Sequence, residues 1–98
     1  MSLPLLFRPE AEAEFTEAWD WYEARREGLG GEFVTCVEAA IARAARNPDV
    51  NPRVHGEVRR ALVRRFPYGV FYVVEGQALL VLAVAHVRRQ PAYWLARK

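Results

Sequence analysis

The sequence predicts an α+β fold in the order β-α-α-β-β-β, with a helical hairpin packed on one face of a small, largely antiparallel four-stranded sheet. Residues 10–47 carry apolar side chains at helical spacing, in two segments separated by glycines. Residues 57–85 are instead rich in β-branched and aromatic side chains interrupted by turn residues. The chain of 98 residues is long enough for one modest core, so we expect a single domain over residues 1–98.

The first part of the chain predicts a short strand and a helix. The apolar run at residues 3–7 predicts the strand, and Pro9 suits the first turn of a helix. The helix is expected from Glu10 to about Glu27, where Gly28 ends it. Its apolar stripe comprises Ala11, Phe15, Ala18, Trp19 and Tyr22.

A second helix is expected from Gly30-Gly31 to about Asn47, with small residues that let two helices approach closely. Its stripe comprises Phe33, Val37, Ala40, Ile41 and Ala44. The segment from Asp49 to Gly56 is expected to be a loop. The residues expected to pack the helices onto the sheet are Phe15, Trp19, Phe33, Val37, Ile41, Val81 and Val84.

Three strands are predicted in the last part of the chain, at about Glu57–Phe66, Tyr68–Glu75 and Ala78–Ala85. Pro67 predicts a bend between the first two of them. The run from Leu79 to Ala85 shows no polar alternation, so its strand should be central and covered on both faces.

The charge of the chain is divided unevenly between its two parts. Residues 1–52 carry five Arg and ten Asp or Glu, a net charge of −5, whereas residues 53–98 carry nine Arg or Lys and two Glu, a net charge of +7. This polarity predicts a basic surface for an anionic partner. The alternative is that the acidic and basic parts of the chain pair with each other.

Four arginines lie on the first of these three strands. Side chains alternate along a strand, so Arg60 and Arg64 share one face while Arg59 and Arg65 share the other. Only one of these pairs can line the open face of the sheet, which is the face that the helical hairpin does not cover. At least one pair is expected to be solvated edge charges that discourage aggregation.

Several classes of protein are excluded by what the sequence lacks. A single cysteine, Cys36, cannot form an internal disulfide, which fits a reducing cytoplasm. The longest apolar run, Leu79–Ala85, is too short to span a membrane. The sequence has no Cys/His cluster with metal spacing, no P-loop and no Gly-rich dinucleotide turn, so we predict no metal and no cofactor.

Three short motifs occur in a specific order along the chain. They are Trp21-Tyr22-Glu23 followed by Gly28-Leu29-Gly30 and Phe33, then Phe66-Pro67-Tyr68 with Tyr72, and finally His86-x-Arg88-Arg89-x-Pro91-x-Tyr93-Trp94. Together with the order of elements, they resemble the RelE/ParE toxins of type II toxin–antitoxin modules. The resemblance covers about Leu5 to Arg97 and implies the fold derived above. It also implies a small cognate antitoxin as partner, in a hetero-oligomer with the toxin.

The resemblance implies one of two activities. RelE-like members cut messenger RNA in the ribosomal A site without a metal, whereas ParE-like members poison DNA gyrase. Metal-free cleavage needs groups that accept and donate protons, together with cations that stabilise the charge on the phosphate. A shared fold does not choose between these activities, so the site residues must.

If the chain is a ribonuclease, the candidate catalytic residues are Arg64, His86, Arg88 and Tyr93. Arg64 and Tyr93 match an arginine and a tyrosine of the RelE-like members, whereas their second arginine corresponds to Arg88 only after a shift of one position. The lysines that usually precede Arg64 are missing, because Lys98 is the only lysine. The alternative for His86 is a strand-end histidine that fixes the path of the following residues.

This incomplete set favours a cytoplasmic, ParE-like poison of DNA gyrase. The alternative targets are the ribosome and its messenger RNA, and a further alternative is a non-toxic scaffold that binds an antitoxin. The antitoxin segment is expected to carry Leu, Ile or Val anchors and acidic residues. The residues predicted to contact the target or a nucleic acid are Arg59, Arg60, Arg65, Arg89 and Trp94.

Overall fold

The predicted α+β architecture is confirmed, with one additional strand. The computed structural model describes residues 2–88, 93, 94 and 97. In chain order the elements are β1 (Leu5–Phe7), α1 (Pro9–Arg25), α2 (Leu29–Arg46), a 3₁₀ turn (Pro48–Val50), β2 (Arg53–His55), β3 (Val58–Leu62), β4 (Tyr68–Glu75) and β5 (Ala78–His86). Both helices contribute to one core against one face of the sheet.

The sheet has five strands rather than the predicted four, because Arg53–His55 forms an edge strand within the predicted loop. All three residues of β2 are exposed, and β2 pairs antiparallel with β3 through an irregular register. A strand that buries no side chain shows no alternation of apolar and polar residues. The sequence therefore carries no hydrophobic signal for β2.

The order of the strands, β1-β5-β4-β3-β2, explains why the helical hairpin crosses the sheet. The chain begins at one edge with β1, and α1 and α2 carry it to the opposite edge, where β2 begins. The next strands run antiparallel back across the sheet until β5 pairs in parallel with β1. The two ends of the fold are thereby joined by backbone hydrogen bonds.

A bulge in β5 places two core valines on the same face. Phe71 pairs with Ala83 and Tyr72 pairs with Val81, so Leu82 is an additional residue on β5. Without the bulge, Val81 and Val84 would point to opposite faces, because their separation in sequence is odd. Both belong to the core beneath the helices, as predicted for these two residues.

The face of the sheet away from the helices is also covered. Trp94 stacks on Phe71 with ring centroids 5.0 Å apart and is only 3% exposed. Together with Val58, Val73 and Leu82, these rings form a second apolar cluster. The continuous apolar run in β5 is therefore buried on both faces, as its lack of polar alternation predicts.

The core beneath the helices centres on aromatic rings, but Trp19 is not among them. Tyr22 and Phe33 pack against each other and both contact Phe66, with centroids 4.9–5.2 Å apart. The prediction that Trp19 belongs to the core is wrong, since it is 38% exposed. The buried stripe of α1 passes through Ala18, one residue to the side, and Trp19 instead lies over the start of α2.

The turn between the helices is held by a side chain of α1. The Glu23 carboxylate accepts hydrogen bonds from the backbone N–H groups of Gly28 and Gly30, both at 2.9 Å. Gly28 has φ +88° and provides no side-chain cap for α2, so Glu23 satisfies these donors instead. This contact is a structural reason for the order of the Trp-Tyr-Glu and Gly-Leu-Gly motifs.

Gly30→Ala is expected to destabilise the fold by about 1–3 kcal/mol, because a buried position is overpacked. A methyl group there would lie 2.9 Å from the Trp19 backbone oxygen and 2.8 Å from a Glu23 carboxylate oxygen. Gly31→Ala is the matched control, since its methyl group would meet nothing within 4 Å. Urea titration should show this control unchanged or stabilised by up to about 1 kcal/mol. Equal effects of the two variants would contradict this account of the turn.

Ile41→Ala is expected to lower the free energy of unfolding by about 2–5 kcal/mol, because it leaves a cavity in the core. Ile41 is only 4% exposed and belongs to the cluster between the helices and the sheet. Arg43→Ala, on the exposed side of the same helix, provides the control. A loss below about half a kcal/mol for Ile41→Ala in a denaturant titration would show that this packing is wrong.

Candidate functional site

Several of the predicted site residues lie at one end of the sheet. Leu62 pairs with Gly69 and Tyr68 pairs with His86, so the β3–β4 connection and the residues that follow β5 are neighbours. This arrangement brings Arg64, Arg65, His86 and Arg88 to the same end, which we name the basic end. The pattern of strands, rather than any local motif, assembles it.

The side chain of Arg59 holds the loop that precedes β2. It lies opposite Tyr72 on β4, and its side chain is only 17% exposed. Its guanidinium forms an ion pair with Asp49 at 3.4 Å and donates a hydrogen bond to the carbonyl oxygen of Asn51. Tyr72 supports the same loop by donating to the carbonyl oxygen of Pro48 at 2.8 Å, and burial raises the pKa of its hydroxyl.

Arg60 lies on the other face of the sheet, away from the helices. It pairs with Phe71, and its aliphatic carbons cross Gly69, where a Cβ atom would lie 3.1 Å from Arg60 Cγ. Its Nε atom is buried without a hydrogen-bond partner in the described part of the chain. No acidic side chain among the described residues pairs with this guanidinium.

Strand β3 ends at Leu62 rather than at the predicted Phe66, because the chain turns sharply before Pro67. Val63 donates its N–H to the carbonyl oxygen of Tyr68 at 2.9 Å, which closes the connection. The strand alternation that was expected to place Arg64 and Arg65 therefore does not apply to them.

Arg65 is held by α2 in a strained backbone conformation, with φ +69°. Its guanidinium donates to a carboxylate oxygen of Glu32 at 2.7 Å, and Arg26 donates to the other at 3.0 Å. The hydrogen bond from Arg65, with that from Arg26, holds the pKa of the Glu32 carboxyl below its usual value. Arg64, in contrast, is exposed and has no ion pair among the described residues.

His86 packs against Tyr68, with ring centroids 5.5 Å apart in an edge-to-face arrangement. Its Nδ1 atom accepts the backbone N–H of Arg88 at 3.1 Å. This hydrogen bond fixes the path of the chain after β5. It matches the alternative interpretation of His86 as a strand-end histidine with a structural role. In this arrangement Nδ1 carries no proton, so the neutral ring carries its proton on Nε2.

Tyr93 is joined to a carboxylate that the sequence analysis missed. Its hydroxyl donates to Glu14 of α1, whose side chain is only 12% exposed. Glu14 also accepts hydrogen bonds from Arg97 at 3.0 Å and from the backbone N–H of Val84 at 3.1 Å. The sequence signal that places Glu14 on the buried side of α1 is its spacing. Glu14 lies three residues after Ala11 and four before Ala18, and both alanines are buried.

Two predicted contact residues have different outcomes. Trp94 is buried against Phe71, so it has little surface to offer a target in this conformation. Arg89 lies outside the described residues. The roles assigned to the remaining arginines stay predictions.

An apolar groove lies between the two helices and the edge strand β1, and we name it the hairpin groove. Its volume is about 500 Å³, and it is lined by Leu5, Phe7, Phe15, Ile41 and Ala42, with Thr16, Glu12 and Glu38 at its sides. A smaller hollow of about 330 Å³ continues from Phe15 and Thr16 to Trp19 and Val34. The groove therefore presents apolar side chains between two carboxylates.

No metal centre or membrane-spanning helix is found in the part of the chain that the structure describes. Across residues 2–88, 93, 94 and 97, no three His, Cys, Asp or Glu side chains are placed to bind one ion. None of the described helices is long and apolar enough to cross a membrane.

Comparisons with known proteins agree with this architecture. A solved structure of the chromosomal ParDE TA system from P. aeruginosa is similar with a TM-score of 0.73 and 17% sequence identity, covering 87% of this chain and 96% of that one. At this identity the similarity concerns the fold. No match was found among curated proteins. The family model for the ParE toxin of the type II toxin–antitoxin system parDE matches residues 5–91. The chain therefore belongs to the ParE toxin family, within the RelE/ParE superfamily.

Proposed function

We propose that this protein is the toxin of a type II toxin–antitoxin module, that it acts in the cytoplasm by poisoning DNA gyrase, and that a cognate antitoxin neutralises it. Membership of the ParE family supports both the assignment to a type II toxin–antitoxin module and the choice of the ParE-like branch. The observation that carries the choice of gyrase over messenger RNA is that two of the four candidate nuclease side chains, His86 and Tyr93, are engaged in hydrogen bonds within the protein.

Metal-free cleavage of RNA needs a proton donor and a proton acceptor at the reacting phosphate. Tyr93 directs its hydroxyl proton to Glu14, and His86 uses Nδ1 to accept the N–H of Arg88. Arg65 is paired with Glu32, so its charge is partly compensated. These contacts favour a surface that binds a partner over a site that transfers protons.

The basic end supplies a suitable binding surface. Arg64 and Arg88 are exposed and have no ion pairs among the described residues, and Arg60 lies on the face of the sheet away from the helices, opposite Phe71 on β4. A surface of one sign attracts an acidic region of a partner and accelerates its association. We infer that this surface contacts gyrase.

The hairpin groove is the proposed site for the antitoxin. Exposed apolar grooves of this kind accept amphipathic helices through regularly spaced anchors. Leu5 in this groove and Trp19 in the hollow that continues it remain 44% and 38% exposed, and a bound segment with Leu, Ile or Val anchors would cover both. Because Glu12 and Glu38 flank the groove, basic residues should border those anchors. The acidic residues expected in the antitoxin would instead suit the basic end.

The double substitution Arg64→Ala and Arg88→Ala should weaken inhibition of gyrase about 5- to 30-fold, as loss of interface anchors does. Supercoiling by purified gyrase, titrated with the purified toxin, measures this effect. Arg43→Ala with Arg46→Ala removes the same charge at the far end of α2 and should leave inhibition unchanged.

The same preparations are added to a translation reaction, and messenger cleavage is mapped at codon resolution. We expect no cuts. Codon-specific cuts that disappear with Arg64→Ala, while gyrase runs unimpeded, would overturn the proposed target and favour the ribonuclease. Inactivity in both assays, with antitoxin binding intact, would favour the non-toxic scaffold.

Ala42→Glu should weaken binding of the antitoxin encoded beside this gene about 10- to 100-fold, because it buries an unpaired charge against an apolar anchor. Ala39→Glu is the matched control, since both alanines are exposed on α2 but Ala42 alone of the two lines the groove. Isothermal titration calorimetry at low and high salt measures both affinities. Equal weakening by the two variants, or no complex at either salt, would argue against this site.

A further inference from the structure

A second groove lies between α1 and the end of β5, apart from the hairpin groove. Its volume is about 500 Å³. The floor is formed by Ala18, Val84 and Ala85, and aromatic side chains, chiefly Trp21 and Tyr68, form the walls. We name it the α1–β5 groove. Trp21 is 52% exposed, so a large apolar side chain of this groove is in contact with water.

The groove is acidic at its sides, although it adjoins the basic end. Glu14 and Glu17 line it, and they share one side of α1 with Trp21 because the three are spaced by three and four residues. Glu14 is compensated by Arg97. Glu17 is exposed and forms no ion pair within the described residues, so its negative charge remains available.

The aromatic wall already binds one guanidinium group. The Arg25 Cζ atom lies 3.7 Å from the centre of the Trp21 ring, which is a close cation–π contact. Arg25 comes from the same helix, one turn further on, and does not line the groove. One face of the Trp21 indole therefore already binds a cation within the protein.

On the edge of β5 near this groove, two backbone groups already have side-chain partners. Strand β1 pairs with β5 only as far as Val81, and beyond it two side chains take over. Arg97 donates to the carbonyl oxygen of Leu82 at 3.0 Å, and Glu14 accepts the N–H of Val84 at 3.1 Å. An occupant of this groove therefore enters through a side chain rather than by backbone pairing.

We propose that the α1–β5 groove binds an arginine side chain presented by a partner protein. The aliphatic part of the arginine packs on Ala18 and Val84, and its guanidinium lies between the Glu17 carboxylate and the aromatic wall. Arginine combines a planar cation with an apolar stem, which matches an acidic and aromatic groove with an apolar floor. This contact goes beyond the proposed function, because it uses neither the hairpin groove nor the arginines of the basic end.

The test uses the full-length protein and a blocked tripeptide, acetyl-Gly-Arg-Gly-amide, in an NMR titration of the Trp21 indole N–H signal. That signal is assigned with Trp21→Phe. The matched probe is the same peptide with citrulline, which keeps the shape of arginine but has no charge. A third peptide carries leucine. We expect saturable shifts with the arginine peptide and none with the other two.

Glu17→Gln should weaken binding of the arginine peptide about two- to fivefold, because one exposed charge contact is lost. Glu12→Gln, which changes a carboxylate of the same helix beside the hairpin groove, should leave the affinity unchanged. Equal binding of the citrulline or leucine peptide, equal effects of the two variants, or no saturable shift would overturn the proposal. Self-association that Glu17→Gln abolishes in sedimentation velocity would also overturn it, since the occupant would then be a second copy of this chain.

Discussion

Burial of β5 on both faces and along both edges is the constraint on which the rest of the structure depends. The helices cover one face, and Trp94 with its neighbours covers the other. Strand β4 occupies one edge, and β1 occupies part of the opposite edge. Where β1 ends, Glu14 and Arg97 satisfy the backbone groups of Val84 and Leu82. Because a buried backbone group without a partner is costly, these side chains complete the sheet.

The distribution of charge follows from this construction. Arg59, Arg65 and Arg97 pair with carboxylates of the acidic part of the chain, at Asp49, Glu32 and Glu14. For these arginines, the interpretation that the two parts of the chain pair with each other is correct. Among the described residues, Arg60, Arg64 and Arg88 have no such partner, and they define the surface proposed to meet the target. In this proposal, one sequence feature serves both folding and binding.

Hydrophobic periodicity was sufficient to predict the helices, β4 and the course of β5, because each buries a regular stripe or a continuous run. It was insufficient for β2, whose residues are all exposed. It also misplaced Trp19, because the apolar stripe of α1 is wider than the strip that contacts the sheet.

The candidate site was predictable only in part. The basic residues were evident, but their pairing was not, since Arg65 meets Glu32 across 33 positions in sequence. The bond between Tyr93 and Glu14 joins positions 79 residues apart. The first contact joins α2 to the β3–β4 connection, and the second depends on the packing of α1 on β5; no local pattern encodes either of them. They are also the contacts on which we base the proposal of a binding surface in place of a proton-transfer site.

We propose above all that this protein poisons DNA gyrase and does not cut RNA. The most direct measurement is the amount of linear plasmid released by detergent and protease after purified gyrase, ATP and the toxin are incubated together. We predict that linear DNA accumulates with toxin concentration and that prior addition of the antitoxin abolishes it. Plasmid that stays circular, with toxin in large excess over gyrase, would contradict the claim.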